Sequence, residues 1–458
     1  MHFVHRTPVA DKTIAAIATP PGEGGIAIIR ISGSDAIAVA AKVFSGPVSR
    51  FKSHTVHFGQ TVDDTSQKID DVLLLVMRAP KSFTGEDTVE IHCHGGRYVS
   101  QRVLGAVLKA GAAPAAPGEF SLKAFMNGKI DLAQAEAIQG LIHAKNEYAM
   151  RAAQEQLEGV LSHKIRSFQQ ELTKTYAILE AWVDFPEEDL EFAPFGEVIK
   201  ELMGIRDTMA KLYATFHQGR MIQEGVQLSL VGSPNVGKSS LMNALLGHER
   251  AIVSPIAGTT RDLVEDDLRL SGLHLRLIDT AGIRETSECI EEEGIKRTKK
   301  AIDRSDLILF VLDATQEAHD AALIEVMPRD RCIAVWNKMD LIRNRPELPL
   351  PFTHIVEVSA TTGMGLPTLL ETIDSIIWGQ QVSAEKDEVM LTCYRHKESL
   401  AAAIQAIDKV IQGLQTGISA EFVTFDMREA LVELGTIIGT DIGEDVLTSI
   451  FSQFCIGK

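Results

Sequence analysis

Cysteine is sparse in this sequence and never paired. The five cysteines stand at positions 93, 289, 332, 393 and 455, far from one another. That spacing supports neither a disulfide framework nor a zinc ribbon, and it suits a reducing compartment. The N-terminus, "MHFVHRTPVADKTIAAIATPPGEGG", lacks a basic segment followed by an uninterrupted apolar core, so no signal peptide is expected. No apolar run is long enough to span a bilayer. Basic charge is also short, with 45 Lys and Arg against 62 Asp and Glu and a formal net charge of −17. A chain that coats nucleic acid through clustered cations is therefore excluded, although a local basic patch is not. The densest patch, "IKRTKKAIDR" (295–304), reads as the solvated face of a helix. Internal repeats and low-complexity tracts are absent, and at 45% hydrophobic there is ample material for packed cores. These absences together describe a soluble cytoplasmic protein with no membrane segment, and its 458 residues suggest two to four domains.

Texture divides the chain into four stretches. Residues 1–118 read as mixed strands and helices, with strand-length apolar runs at 25–33, 70–80 and 88–96. From 119 to 222 the period lengthens. Leu157, Val160, Leu161, Ile165, Phe168, Leu172, Tyr176 and Leu179 recur at steps of three and four, as on an amphipathic helix. Residues 223–379 return to strand-like runs alternating with helical patterns, and 380–458 are helical again, with Leu400, Ile404, Ile407, Val410, Ile411 and Leu414 on one stripe. Two helical blocks flanking an α/β block predict one helical domain interrupted by an insertion.

The insertion carries the strongest chemical signal. "VQLSLVGSPNVGKSSLMNALLG" is a buried strand, a glycine-rich loop and a helix, and it fits G-x-x-x-x-G-K-[ST]. Glycines at 232 and 237 let backbone N–H groups of the loop (Asn235, Val236, Gly237, Lys238, Ser239 and Ser240) face phosphate oxygens, and the helix N-terminus adds positive potential. Lys238 would reach the β- and γ-phosphates and Ser239 would ligate Mg²⁺. "AGTTRD" (257–262), "LIDTAG" (277–282), "NKMD" (337–340) and "SATTG" (359–363) follow in the order that serves one such site. They contribute Thr259 and Thr260, then Asp279, Thr280, Ala281 and Gly282, then Asn337, Lys338 and Asp340, and finally Ser359 and Ala360. Thr260 can give Mg²⁺ a second hydroxyl. Asp279 can hold a metal-bound water, and the Gly282 N–H can contact the γ-phosphate. Asp340 can accept from the guanine N1–H and amine, a donor pair that adenine lacks, so the site favours GTP and GDP.

Two details narrow the chemistry. Ile283 follows "DTAG" where Ras-type proteins carry a water-orienting glutamine, and an alkyl group cannot do that task. The acidic run "SECIEEEG" (287–294) offers Glu288, Glu291, Glu292 and Glu293 instead. Asn235 either caps its loop or presents a neutral oxygen to a cation near the β/γ bridge.

The chain stops on "SQFCIGK". Prenylation of Cys455 is excluded by Lys458 in the last position. A frayed tail and a tail that enters an active site both remain. Spacing through Val446, Ile450 and Phe454 predicts an amphipathic helix leading into the tail, and Gly457 permits a sharp turn or close approach. Cys455 reads either as a small buried hydrophobe or as a thiol whose pKa a nearby cation lowers.

With "ATPPGEGGIAIIRISG", "SFTGEDTVEIHCHGG", "APGEFSLKAFMNGKIDLAQAEAI", the nucleotide motifs and the terminal "FCIGK", the whole chain resembles the MnmE (TrmE) family of tRNA-modifying GTPases. The resemblance implies a multidomain α+β and α/β protein. Its parts would be a tetrahydrofolate-binding-like N-terminal domain, an all-helical central domain made of two segments, and an inserted Ras-like P-loop G domain. It also implies a homodimer through the N-terminal domains, an FAD-carrying partner of the MnmG kind, and tRNA as substrate. The product would be an aminomethyl or carboxymethylaminomethyl group on carbon 5 of the wobble uridine, made with a formyl- or methylene-tetrahydrofolate. Residue by residue, the match places K⁺ at Asn235, Ser254, Ile256 and Thr259. It assigns Glu291 to water activation, and folate to Arg30, Glu90, Lys129 and Lys458. Cys93 stands where many relatives have glycine. His92 and His94 share a strand face with Cys93 pointing away, so a three-ligand metal site is not expected there. The rival reading is an RNA-binding ribosome-assembly switch of the Era type. It would bring a basic module after the G domain, but the segment after 380 has no G-x-x-G loop of the KH kind.

Overall fold

The computed structural model describes residues 12–184, 194–248, 265–270, 273–279, 302–303, 305–316, 321–342, 351–379 and 389–457. The chain forms two compact units, one from residues 1–139, 156–205 and 402–458, the other from 140–155 and 206–401.

The first unit opens with a six-stranded sheet. Its strands are β1 (Ile14–Ile17), β2 (Ile26–Ser32), β3 (Thr55–Val62), β4 (Lys68–Met77), β5 (Thr88–His94) and β6 (Ala113–Pro114), in the order β3-β4-β5-β2-β1-β6. Alternation sets its two faces. Ile29, Ile31, Val72, Leu74, Val76, Val89 and Ile91 are buried in a core shared with α1 (Ala36–Val43) and α2 (Arg97–Lys109). Phe58 and Leu73, at the alternate positions, are 76% and 44% exposed, so the other face stays largely open. Sequence-distant helices complete the unit. Gln169, on the helix Val160–Asp184, donates to the Leu431 carbonyl on the helix Ala420–Ile438 at 3.4 Å. The helical block is therefore built from both flanks of the insertion, as the periodicity implies.

Two stripes differ in detail from the sequence reading. The stripe from Leu157 is broken, because Gly159 takes φ +89° and separates the helix Glu147–Leu157 from the helix Val160–Asp184. Val160 is consequently 37% exposed, while Leu161, Ile165, Phe168, Leu172 and Leu179 carry the buried face. Near the C-terminus the helix spans Glu444–Ser452, and Val446 is 46% exposed. Its packing face is instead Leu447, Ile450 and Phe451. They join Phe125, Leu132, Ala135 and Phe454, which lies beyond the helix.

The second unit holds β7 (Val226–Val231), β8 (Glu265–Leu270), β9 (Leu273–Asp279), β10 (Leu307–Asp313), β11 (Cys332–Asn337) and β12 (His354–Glu357), in the order β12-β11-β10-β7-β9-β8. All neighbours are parallel except the edge pair β8 and β9. Every residue of β10 and β11 is buried, as expected for strands covered on both faces. This is a Ras-like G domain. The order reverses about β7, so the crevice beyond the carboxyl end of β7 is where such a sheet takes its ligand.

Candidate nucleotide and tail sites

The glycine-rich loop leaves β7 at that crevice and enters the helix Lys238–His248. Its geometry depends on backbone that L side chains rarely adopt. Gly237 has φ +94°, and a Cβ there would run into the Asn337 side-chain amide. At Gly232 a Cβ would run into the Val311 carbonyl. Asn235 and Lys338 both take left-handed φ, at +63° and +65°.

Side chains from the far motifs close on this loop. Lys238 Nζ donates to the Gly232 and Ser233 carbonyls, each at 2.8 Å, so the ammonium is already seated over the loop. Asn337 is 2% exposed. Its amide donates to the Val236 carbonyl at 2.9 Å, and its oxygen accepts from the Ala360 N–H at 3.1 Å. Ser359 is buried, and its hydroxyl accepts the Thr362 N–H at 3.2 Å, closing the "SATTG" turn. Lys338 Nζ donates to the Asn235 carbonyl at 2.8 Å. Asp340 is exposed, on the single turn Met339–Leu341, and Ser239 and Ser240 are exposed at the start of the P-loop helix. The backbone of Asp279 pairs with Leu230 at the end of β9. Ser254, Ile256, Thr259, Thr260, Thr280, Ala281, Gly282 and Glu291 lie outside the described residues, as does Lys458.

Sequence reasoning missed Asp313. This carboxylate ends β10 and is saturated. One oxygen accepts from Thr315 N at 2.9 Å and Thr315 Oγ1 at 2.7 Å, and the other from Lys338 Nζ at 2.7 Å and Gln316 Nε2 at 3.4 Å. Burial pushes its pKa up, but the hydrogen bonds from Lys338 and Thr315 outweigh that and hold it below the ordinary carboxylate range. Asp313 thus pins the lysine that pins Asn235. Replacing it with Asn is expected to weaken GDP and GTP binding about tenfold, the scale of a lost hydrogen bond to a charged group. A fluorescent-nucleotide titration checks this, and unchanged affinity would remove the role. Since the folded pKa is depressed, the carboxylate stabilises the fold fully at neutral pH. That contribution disappears as pH falls through the depressed value, so wild type and Asp313→Asn should converge in stability in acid.

A second constellation lies on the first unit. Glu90 Oε1 accepts from Arg30 Nε and Nη2, both at 2.8 Å, across the β2–β5 pair in which the two residues stand opposite. The Arg30 guanidinium covers the Phe120 ring at 5.7 Å, and its Nη1 donates to the Gly457 carbonyl at 3.0 Å. The tail is therefore held rather than frayed. Gly457 is buried with φ +91°, and a Cβ there would come within 2.7 Å of Ala18 Cα and the Ile17 carbonyl. The Gly118 N–H reaches the Cys455 carbonyl at 3.5 Å. Cys455 itself is exposed, which corrects its reading as a small buried hydrophobe: Phe451 and Phe454 fill that packing position. Lys129 Nζ donates to the Pro80 carbonyl at 3.0 Å. Lys123, in the same segment, is buried and paired with Glu86 at 2.8 Å. Cys93 points inward, its thiol pushed up to about 11 by burial, while His94 faces out, bonded to Asp70 at 2.8 Å. The alternation along β5 is as the sequence implies.

Comparison with known proteins agrees over the full length. The family model for the MnmE helical domain matches residues 132–455, and that for the GTP-binding protein TrmE N-terminus matches residues 13–129. The tRNA modification GTPase MnmE of Protochlamydia amoebophila is 55% identical over 461 residues, covering 100% of both chains. The proteins of that name from Moorella thermoacetica and Chlamydia abortus are 45% and 44% identical, each covering 98% of this chain and 100% of the relative.

Proposed function

This chain belongs to the MnmE family of tRNA modification GTPases, and from that premise we propose that it uses GTP hydrolysis to modify carbon 5 of the wobble uridine of tRNA. The group added is aminomethyl or carboxymethylaminomethyl. The one-carbon unit comes from a formyl- or methylene-tetrahydrofolate, and an FAD-bearing flavoprotein of the MnmG kind is the partner. The observation that carries this over a plain switch of the Era type is the Arg30 bond to the Gly457 carbonyl. A GTPase switch needs no C-terminal tail fixed on its N-terminal sheet.

In this reading Lys238 neutralises the β- and γ-phosphates, and Asp340 selects guanine. Ser239, exposed at the first turn of its helix, would ligate Mg²⁺ together with Thr260. The exposed Asn235 amide, on a carbonyl-rich loop, suits a monovalent cation completed by Ser254, Ile256 and Thr259. Such a cation supplies positive charge where charge develops. Glu291 takes the place of the glutamine that Ile283 cannot be. Arg30, Glu90, Lys129 and Lys458 hold the folate. A second copy of the chain covers the β3 side of the open sheet face, where Val56 and Phe58 are exposed. The divisions at 118/119, 222/223 and 379/380 then separate folate-binding and dimerisation, helical, G and second helical segments.

Hydrolysis is expected to be fast in K⁺ and slow in Na⁺, whose smaller radius fits such a shell poorly. Glu291→Ala should lower turnover while leaving nucleotide affinity nearly intact, as for an interaction made in the transition state. Steady-state rates in the two salts check this, and equal rates would take the cation out of the mechanism.

A further inference from the structure

On the open face of the N-terminal sheet, beside the Arg30–Glu90 pair, one buried polar atom makes no hydrogen bond. His92 Nε2 is buried, and among the described residues it has no hydrogen-bond partner. It lies 3.5 Å from Glu90 Oε2 without the geometry of a hydrogen bond, while Glu90 Oε1 is taken by Arg30. Its neighbours across the strands are apolar, Leu73 on β4 and Ile28 on β2. Leaving a buried nitrogen unpaired is costly, so a native site that keeps one invites a ligand group.

The two atoms define what that group is. A cyclic amide edge presents an N–H donor directly beside a C=O acceptor. Glu90 Oε2 can accept from the first, and His92 Nε2–H, in that tautomer, can donate to the second. We propose that His92 and Glu90 together read a lactam edge, and that His92 is a ligand-binding residue of the site at which Arg30 holds the tail. The inference rests on the folate-and-tRNA reading. Two molecules in that reading carry a lactam edge, the pterin of tetrahydrofolate and the uracil of the wobble uridine. Low polarity on either flank strengthens the bond and makes its loss felt.

The test is equilibrium binding of formyl-tetrahydrofolate, and separately of an anticodon stem–loop RNA with uridine at the wobble position, to the full chain and two variants. His92→Gln keeps an N–H donor and is expected to bind within about threefold of wild type. His92→Leu keeps volume without polarity and is expected to lose about tenfold or more. Loss confined to the folate assigns the pterin, and loss confined to the RNA assigns the uracil. His92→Met repeats the apolar arm should His92→Leu lower the melting temperature. Wild-type affinity for both ligands in the apolar variants overturns the inference alone. Failure of the wild type to bind either ligand overturns the underlying reading and the inference with it.

Discussion

Deletion of residues 455–458 is expected to abolish wobble-uridine modification while leaving GTP hydrolysis close to wild type. The truncated chain keeps Phe451 and Phe454 in their cluster with Phe125 and Leu132, so the terminal helix retains its anchor. What goes is the Gly457 carbonyl that satisfies Arg30 Nη1, the close approach of Gly457 to Ala18, and the exposed thiol of Cys455. Lys458, the folate contact proposed for the tail, goes as well, and since a hydrogen bond to a charged group contributes about 1.5–3 kcal/mol, folate affinity should fall about tenfold or more. The nucleotide motifs belong to the other compact unit, which the deletion does not touch. Nucleoside analysis of tRNA from cells carrying only the truncated chain, set beside its GTPase rate, measures both halves. Normal modification would return the tail to decoration.

Asp340→Asn is expected to cost guanine nucleotides on the order of a hundredfold or more in affinity, while xanthine nucleotides gain. Two charge-assisted bonds to the base edge are lost, and the amide sets a donor against a donor; at roughly 1.5–3 kcal/mol each the effect exceeds that of any single neutral bond. The scaffold should survive, because Asp340 is exposed on its turn while buried Asn337 keeps its bonds to Val236 and Ala360. Competitive titration of GDP and XDP gives the ratio. Unaltered preference for GDP would show that Asp340 does not face the base.

Much of this architecture is legible in the sequence, because period and punctuation are local properties. Strands at 26–32, 68–77 and 88–94 follow from short apolar runs bounded by Gly or Pro, and the P-loop follows from a fixed spacing of glycines and one lysine. Partners distant in sequence were harder to see. Nothing near Asp313 announces that it grips Lys338, since the two meet only because β10 and β11 lie side by side in register. The orphaned nitrogen of His92 was hidden for the same reason. Alternation gave its face correctly, but whether it had a partner depended on what Glu90 did with its other oxygen. The tail shows both limits. Its hydrophobic spacing was legible, but Val446 lies outside the packing face and Phe451 within it, because the helix is rotated toward Phe125 and Leu132. Gly159 likewise stopped a helix that the apolar stripe continues through, its left-handed backbone overriding the period.

The central claim, that this GTPase builds a one-carbon unit from folate into the wobble uridine, is tested most directly by reconstitution. The purified chain, its flavoprotein partner, unmodified tRNA, K⁺, GTP, ammonium or glycine, and tetrahydrofolate labelled with ¹³C in the one-carbon unit are combined, and the wobble nucleoside is analysed by mass spectrometry. The label should appear in the substituent on carbon 5 of uridine only when hydrolysable GTP is present. An unlabelled uridine, or a labelled one formed equally well without GTP, would contradict the account.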